Sequence, residues 1–393
     1  MKNGETGRDL LIALHATPAL DRAAACLLGQ ELERWAGRPP RHAADVASEL
    51  GLPRAQVRRA LAAAGDARAL AAAERERAAG LGARHLTRLD PDYPPALLHL
   101  ALPPPVLCLR GALPASAAVA IVGSRTAGDY GVAAAELFAC ALAGAGLAVV
   151  SGFARGIDAA AHRGALAAAV DREALAAVDR RALAAPCGRT VAVLGCGMGV
   201  DYPRGHAHLG DEIAAQGALV SEFPCGAAPR GWHFPVRNRI IAALAAGTLV
   251  VEAAPRSGSL VTVRHALDLG REVWAVPGRI FDPRAQGTNA LIRDGAALVQ
   301  HPREILESLG IATASQPSEP HRREAPAPSA EPARDRPEGL AGTILEKLAM
   351  EAGPEEIAAA AEASVDRVLS ALLELELAGH VVRRPGPRFA RVG

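Results

Sequence analysis

The stretch WHFPVRNRIIAALAAGTLVVEAAPRSGSLVTVRHALDLGREVWAVPG, residues 232–278, decides the fold. It holds two apolar runs, GTLVVEAA and EVWAV, with the length and Val-rich character of strands buried on both faces. Arg237, Asn238 and Arg239 come just before the first run; Arg256, Ser257, Gly258 and Ser259 come just after it. Short loops leaving a parallel sheet present backbone N–H groups, and the next helix adds its positive N-terminal end. Arginines beside such loops supply forked donors for phosphate. The pattern predicts a sheet whose carboxyl edge holds a polyanion.

Working outward, the same strand-loop-helix unit recurs upstream. AVAIVGSRTAGDYGVAAAELFACAL (118–142) reads as a strand, the loop Gly123-Ser124-Arg125, and a helix. LAVVSGFARGIDAAAHRGAL (147–166) repeats this, with its helix starting near Asp158. TVAVLGCGMGVDYP (190–203) and GALVSEFP (217–224) read as two more strands. Apolar runs alternating with Ala-rich helices predict a doubly wound, mostly parallel, Rossmann-like α/β core. Ligands of such sheets sit outside the carboxyl ends of the strands, where the strand order switches.

The ordered series resembles the DprA/Smf family of DNA-processing proteins. The carrying residues are IVGSR at Ile121–Arg125, SGFARGIDAAAH at Ser151–His162 and VLGCGMGVDYP at Val193–Pro203. SEFP at Ser221–Pro224, FPVRNRIIA at Phe234–Ala242 and VVEAAPRSGSLVT at Val250–Thr262 follow in family order. REVWAVPG at Arg271–Gly278 and QGTNALIRDGA at Gln286–Ala296 complete the set. The resemblance implies a core that binds single-stranded DNA through its backbone, and a protein that is not an enzyme. It further implies protection of incoming DNA and loading of RecA against single-strand-binding protein in natural transformation. A homodimer joined through the α/β core is implied as well.

Composition narrows the chemistry. The chain has 393 residues and a formal net charge of +1, so a nucleic-acid site must be a local patch. Aromatics are 3% of residues, so the core must be mostly Ala, Leu and Val. Lys2 and Lys347 are the only lysines, so phosphate contacts must come from Arg, Ser, Asn and backbone N–H. Six cysteines are scattered without C-x-x-C or zinc spacing, and read as buried, inert thiols. No cofactor, metal site or catalytic residue is expected. Without a signal-like start or an apolar run of membrane length, the expected location is the cytoplasm.

Four segments are expected. Residues 1–80 form a helical domain in which the turn Gly51-Leu52-Pro53-Arg54 is either structural or part of a helix-hairpin-helix. Residues 81–310 form the core, in which VLCLRG is an extra strand at the sheet edge. Within it, AVDREALA (169–176) is nearly duplicated by AVDRRALA (177–184), a tandem helical insertion. Residues 311–338 are a Pro/Ser/Glu/Arg-rich disordered linker, and 339–393 a winged helix with arginines in its wing.

Three clusters carry the proposed DNA site. In the first, Arg125 is a phosphate clamp beside the N–H groups of Gly123 and Ser124, or a structural arginine pairing with Asp129. Gly152 allows close backbone approach or makes a plain turn, and Arg155 reaches the same surface. In the second, Arg237, Asn238 and Arg239 hold phosphate and a base edge, and Phe234 or Trp232 stacks a base. Arg237 and Arg239 lie two apart and can diverge, leaving one of them structural. In the third, Ser257, Gly258, Ser259 and Thr262 bind an anion at a helix start, or cap that helix.

The rival reading is a nucleotide-processing hydrolase of the phosphoribohydrolase-like type. Glu252 would be its carboxylate, or would instead hydrogen-bond the neighbouring glycine loop, the favoured reading. That enzyme class resembles this core but carries a glutamate in the helix after its glycines. PRSGSLVTVRHA has no acidic residue at that helix start. His162 and Asp158, at i, i+4, could pair as base and orienter, but no nucleophile completes a triad.

Overall fold

A computed structural model describes residues 2–17, 20–34, 43–176, 189–311, 339–348, 352–378, 380–384 and 388–391. They divide into two compact units, Met1–Ala314 and Ser315–Gly393.

The first unit is built on a nine-stranded sheet of order β1-β2-β6-β5-β4-β3-β7-β8-β9. The strands are β1 (Ala83–Thr87), β2 (Val106–Gly111), β3 (Ala118–Val122), β4 (Ala148–Ser151), β5 (Thr190–Leu194), β6 (Ala218–Ser221), β7 (Gly247–Val250), β8 (Glu272–Ala275) and β9 (Ala297–Leu298). From β6 through to β9 every pairing is parallel. The strand VLCLRG is β2, and it is not at the edge: it pairs antiparallel with β6 and carries β1 antiparallel on its other side. The residues ARHLT of β1 show no period-two alternation, with Arg84 and His85 side by side, so nothing in them stands out as a strand.

Seven helices follow the strands. They are α6 (Asp129–Gly144), α7 (Ile157–Ala176), α8 (Ala207–Gln216), α9 (His233–Leu244), α10 (Ser259–Asp268), α11 (Gln286–Arg293) and α12 (Pro302–Ser308). The period-two geometry of a strand sends alternate residues to opposite faces. In β3, Val119 and Ile121 join the cluster of α6, α7 and α12, while Ala120 and Val122 join that of α9 and α10. With few aromatics, Trp274 and Phe138 are the large side chains of the first cluster and small Ala faces fill the rest. The first copy of the duplication continues α7; the second lies outside the described residues.

Before the sheet come α1 (Lys2–Ala16), α2 (Arg22–Arg34), α3 (Ala43–Glu49), α4 (Arg54–Gly65) and α5 (Ala67–Gly80). The Gly51 turn has φ +62°, and α4 starts after Pro53. Leu11 and Ile12 of α1 share a buried cluster with Ala71 of α5 and Val106 of β2.

The second unit has α13 (Leu340–Lys347), α14 (Pro354–Ala361) and α15 (Val365–Leu377), then the antiparallel pair β10 (Val381–Arg384) and β11 (Arg388–Arg391). This is the expected winged helix. Ile344, Leu372 and Phe389 meet in its core. The expected linker, apart from Ile311, lies outside the described residues.

Candidate nucleic-acid interface

Strand β3 is where the sheet order reverses: β4, β5 and β6 extend to one side of it, β7, β8 and β9 to the other. A crevice must open there, because the loops leaving β3 and β7 turn towards opposite faces. It is filled by two adjoining cavities of about 820 Å³ and 640 Å³. Both are lined by Arg125, Ala154, Tyr202, Pro229, Phe234 and Arg237, so they form one groove.

All three proposed clusters reach this groove, but their members do different work. On the rim, the exposed Arg125 guanidinium lies 4.8 Å from the centroid of the Phe234 ring. It does not pair with Asp129. The Tyr202 and Phe234 rings are 5.5 Å apart, so a small aromatic surface continues beyond Arg125. Arg155, also exposed, lines the β4 side. On the β7 side, Ser257 and Ser259 hydroxyls lie 2.7 Å apart, and Ser259 donates its N–H to Ser257 Oγ at 3.3 Å. Gly258, not either serine, is the N-cap of α10, and no side chain caps that helix. Exposed Gly258 has no atom near the place a Cβ would take. Thr262, fully buried as a residue, closes this end, and Asn238 Nδ2 ties the loop down by donating to Gly258 O at 3.2 Å.

The floor is structural. Arg237 is 3% exposed and donates from Nη1 to the carbonyl oxygens of Gly152 and Val193. Burial pulls its pKa down to about 10, against the opposing pull of Asp158. A Cβ on Gly152 would meet Asp158 Oδ2 at 2.5 Å and Arg237 Nη1 at 2.8 Å. Gly152 is thus required by the packed arginine. One on Gly123 would meet the Ile157 side chain at 2.6 Å and Glu252 O at 2.8 Å, so Gly123 lets α7 start close against β3. Ser124 accepts the Thr126 N–H at 3.2 Å and stays near the surface.

Arg239 does not join the groove. Residues two apart on a helix point about 200° apart, so Arg237 and Arg239 face opposite ways. Arg239 makes a two-pronged pair with Glu222, Nη1 to Oε2 at 2.7 Å and Nη2 to Oε1 at 2.5 Å. Burial works against its charge, but Glu222 outweighs this and holds the guanidinium ionised. Trp232 is half exposed and stands edge-on to His233, which stacks on Phe223.

The groups that an enzyme would use are each engaged in a hydrogen bond. Glu252, 4% exposed, accepts the Gly128 N–H at 3.1 Å on the far side of β3. Asp158 accepts the Ala154 N–H at 3.2 Å, and burial raises its pKa. His162 bonds through Nδ1 to Thr190 Oγ1 at 2.7 Å, and burial lowers its pKa to about 3. His162 and Asp158 therefore do not form a dyad.

Three cations were not assigned to the site from sequence or were only noted beside it. Arg204, Arg230 and Arg256 are exposed and line the groove. Arg204 follows the DYP end of the third unit and Arg230 precedes the Trp232 motif, so adjacency to known loops was the available signal. Among the described residues, no carboxylate pairs with Arg125, Arg155, Arg204, Arg230 or Arg256.

Comparison with known proteins agrees with this geometry. The family described as DNA recombination-mediator protein A matches residues 84–310, and the DprA winged helix domain matches residues 324–387. The chain is 41% identical to protein Smf of Escherichia coli K12 over 77% of its own length and 76% of that protein's. It is 38% identical to DNA processing protein DprA of Streptococcus pneumoniae over 56% of its own length and 71% of that protein's. The X-ray structure of the Streptococcus pneumoniae DprA superposes with a TM-score of 0.62 at 31% identity, covering 78% of this chain and 98% of that one. None of the described helices is long and apolar enough to cross a membrane. With the motif series, the switch-point groove and the winged helix all in place, the chain belongs to the DprA/Smf family of DNA-processing proteins.

Proposed function

We propose that the groove binds single-stranded DNA without sequence preference, and that the chain acts as a binding and loading protein rather than an enzyme. The observation that carries this is the rim: exposed Arg125, Arg155, Arg204, Arg230 and Arg256 surround the Phe234–Tyr202 aromatic surface. Phosphates engage the arginines, and the aromatic faces accept any base. A strand laid here is held by charge and by the Ser257–Ser259 loop.

In the same reading, the bound strand is protected and handed to RecA in competition with single-strand-binding protein, in transformation or recombination. A homodimer through the α/β core would align two strands. The winged helix is an accessory module, and the protein works in the cytoplasm. A salt series of fluorescence anisotropy with one labelled oligonucleotide, single-stranded and as duplex, tests the central claim. The single strand should bind tighter, with a log–log salt slope of about −0.7 per phosphate neutralised. Equal or tighter duplex binding with no salt slope refutes it.

A further inference from the structure

Away from the groove, three residues that lack metal-ligand spacing in sequence converge in space. Cys108 lies in β2, His85 in the neighbouring β1, and Cys225 four residues after β6. The register sets His85 opposite Cys108 and Cys108 opposite Ser221. The two sulfurs are 3.8 Å apart, and the His85 ligand nitrogen and both sulfurs all lie within 4.8 Å of one another.

We propose that His85, Cys108 and Cys225 bind one thiophilic divalent cation of the zinc(II) class. Zinc–sulfur bonds of about 2.3 Å at the tetrahedral angle place two sulfurs about 3.8 Å apart. That is the separation found here.

The histidine supports the same reading. Its side chain is 1% exposed, and both ring nitrogens lack a hydrogen-bond partner. A buried polar atom without a partner costs free energy unless something satisfies it. Nε2 is 3.6 Å from Glu74 Oε1, which leaves Nδ1 as the nitrogen to face a ligand. A carboxylate behind a ligating histidine fixes the ring and raises its basicity. Glu74 is itself held, by the Cys225 N–H at 2.8 Å and by Arg77 at 2.7 Å.

Three protein ligands leave the fourth position for water, on the side where Cys225 is partly exposed. The cation would tie the connection between β6 and α9 to the β1–β2 hairpin and, through Glu74, to α5. That connection runs on to Pro229 and Arg230 in the groove wall, so the site is a structural clamp behind it.

The test uses the full chain, purified with its thiols reduced and stripped of metal, then titrated with cobalt(II) and zinc(II). One equivalent of cobalt should bind with thiolate charge-transfer bands and the visible bands of a tetrahedral site, and zinc should displace it. Cys108→Ser, Cys225→Ser and His85→Gln should each lower affinity at least tenfold, while Cys140→Ser on α6 leaves it unchanged. Because a ligand variant can fail to fold, the wild type supplies a second readout. Zinc should protect Cys225 from alkylation while Cys140 continues to react. Cobalt uptake without thiolate bands, no protection of Cys225, or an oxidised Cys108–Cys225 pair as the resting form overturns the proposal. DNA binding is not read in any arm, so the outcome is independent of the proposed function.

Discussion

Arg239→Ala separates a structural arginine from a DNA-binding one in the FPVRNR stretch of the groove helix. The Arg239 side chain is 13% exposed and the Glu222 side chain 1%, with two charge-assisted bonds between them at 2.5 and 2.7 Å. Truncating Arg239 leaves the buried Glu222 side chain without its partner. Breaking a buried pair from one side costs about 3–5 kcal/mol. The double variant Arg239→Leu/Glu222→Leu removes both charges, and should recover most of that loss. Urea unfolding followed by circular dichroism measures the stability of the three proteins. Anisotropy with a labelled oligonucleotide at low temperature, where Arg239→Ala is still folded, should give wild-type affinity. If Arg239→Ala is within about 1 kcal/mol of wild type in stability yet binds single strands at least tenfold more weakly, the arginine reaches DNA and the assignment to Glu222 is wrong.

Arg125→Ala should show the opposite pattern, with stability within about 0.5 kcal/mol of wild type and single-strand affinity lower by about 1.5–3 kcal/mol, a ten- to hundredfold loss in the same anisotropy assay. Phe234→Ala should lose about 1–3 kcal/mol of binding if one base stacks there, with little dependence on oligonucleotide sequence. His162 is neutral when folded, since burial among Thr190, Phe153, Arg237, His206 and Arg163 holds its pKa near 3. The unfolded chain takes up the proton first as pH falls, so this contribution to stability is intact above about 6.5 and is lost on going down towards 3, at about 1.4 kcal/mol per pH unit. Urea unfolding at pH 7.5 and 5.5 should show a smaller drop in His162→Gln than in wild type. A fragment ending at Gly310 should keep most single-strand affinity, and residues from Leu340 onward should bind weakly alone, measured under one salt condition.

Most of the parallel core was legible because its strands are apolar runs closed by loops of small residues, as in AVAIVGSR and GTLVVEAAPRSGS, whereas β9 is two exposed residues with no such signal. Such a run cannot be satisfied except between two layers of helix. The antiparallel edge was less legible. β1 reads ARHLT, five residues without alternation, and its antiparallel pairing with β2 is a contact across some twenty residues of chain that no local pattern announces. Within the groove, the loops were legible but the directions of their side chains were not. Sequence placed Arg237, Asn238 and Arg239 together; the helix turns them to the floor, the Gly258 carbonyl and Glu222 in turn. Which arginine is free depends on where Glu222 and Asp158 lie, and both come from other parts of the chain. The His85–Cys108–Cys225 group was invisible for the same reason: its members are joined by strand register, not by spacing.

The division between floor and rim explains how a chain with a net charge of only +1 can present a cationic groove. A buried arginine must be neutralised or fully hydrogen-bonded, so Arg237 and Arg239 consume acceptors and contribute little outward field. The exposed arginines come from five separate loops, after β3, β4, β5, β6 and β7, and each stands on a backbone fixed by the sheet. Their charges add over the groove without any one segment being basic. A buried floor beneath exposed cations suits the ligand of the proposed function, which is uniform along its length, because each phosphate would meet a donor wherever it lies along the groove. The same construction predicts that charge reversal at one rim arginine weakens binding by a similar factor for every oligonucleotide sequence. Loss confined to particular sequences would instead mean that the rim reads bases.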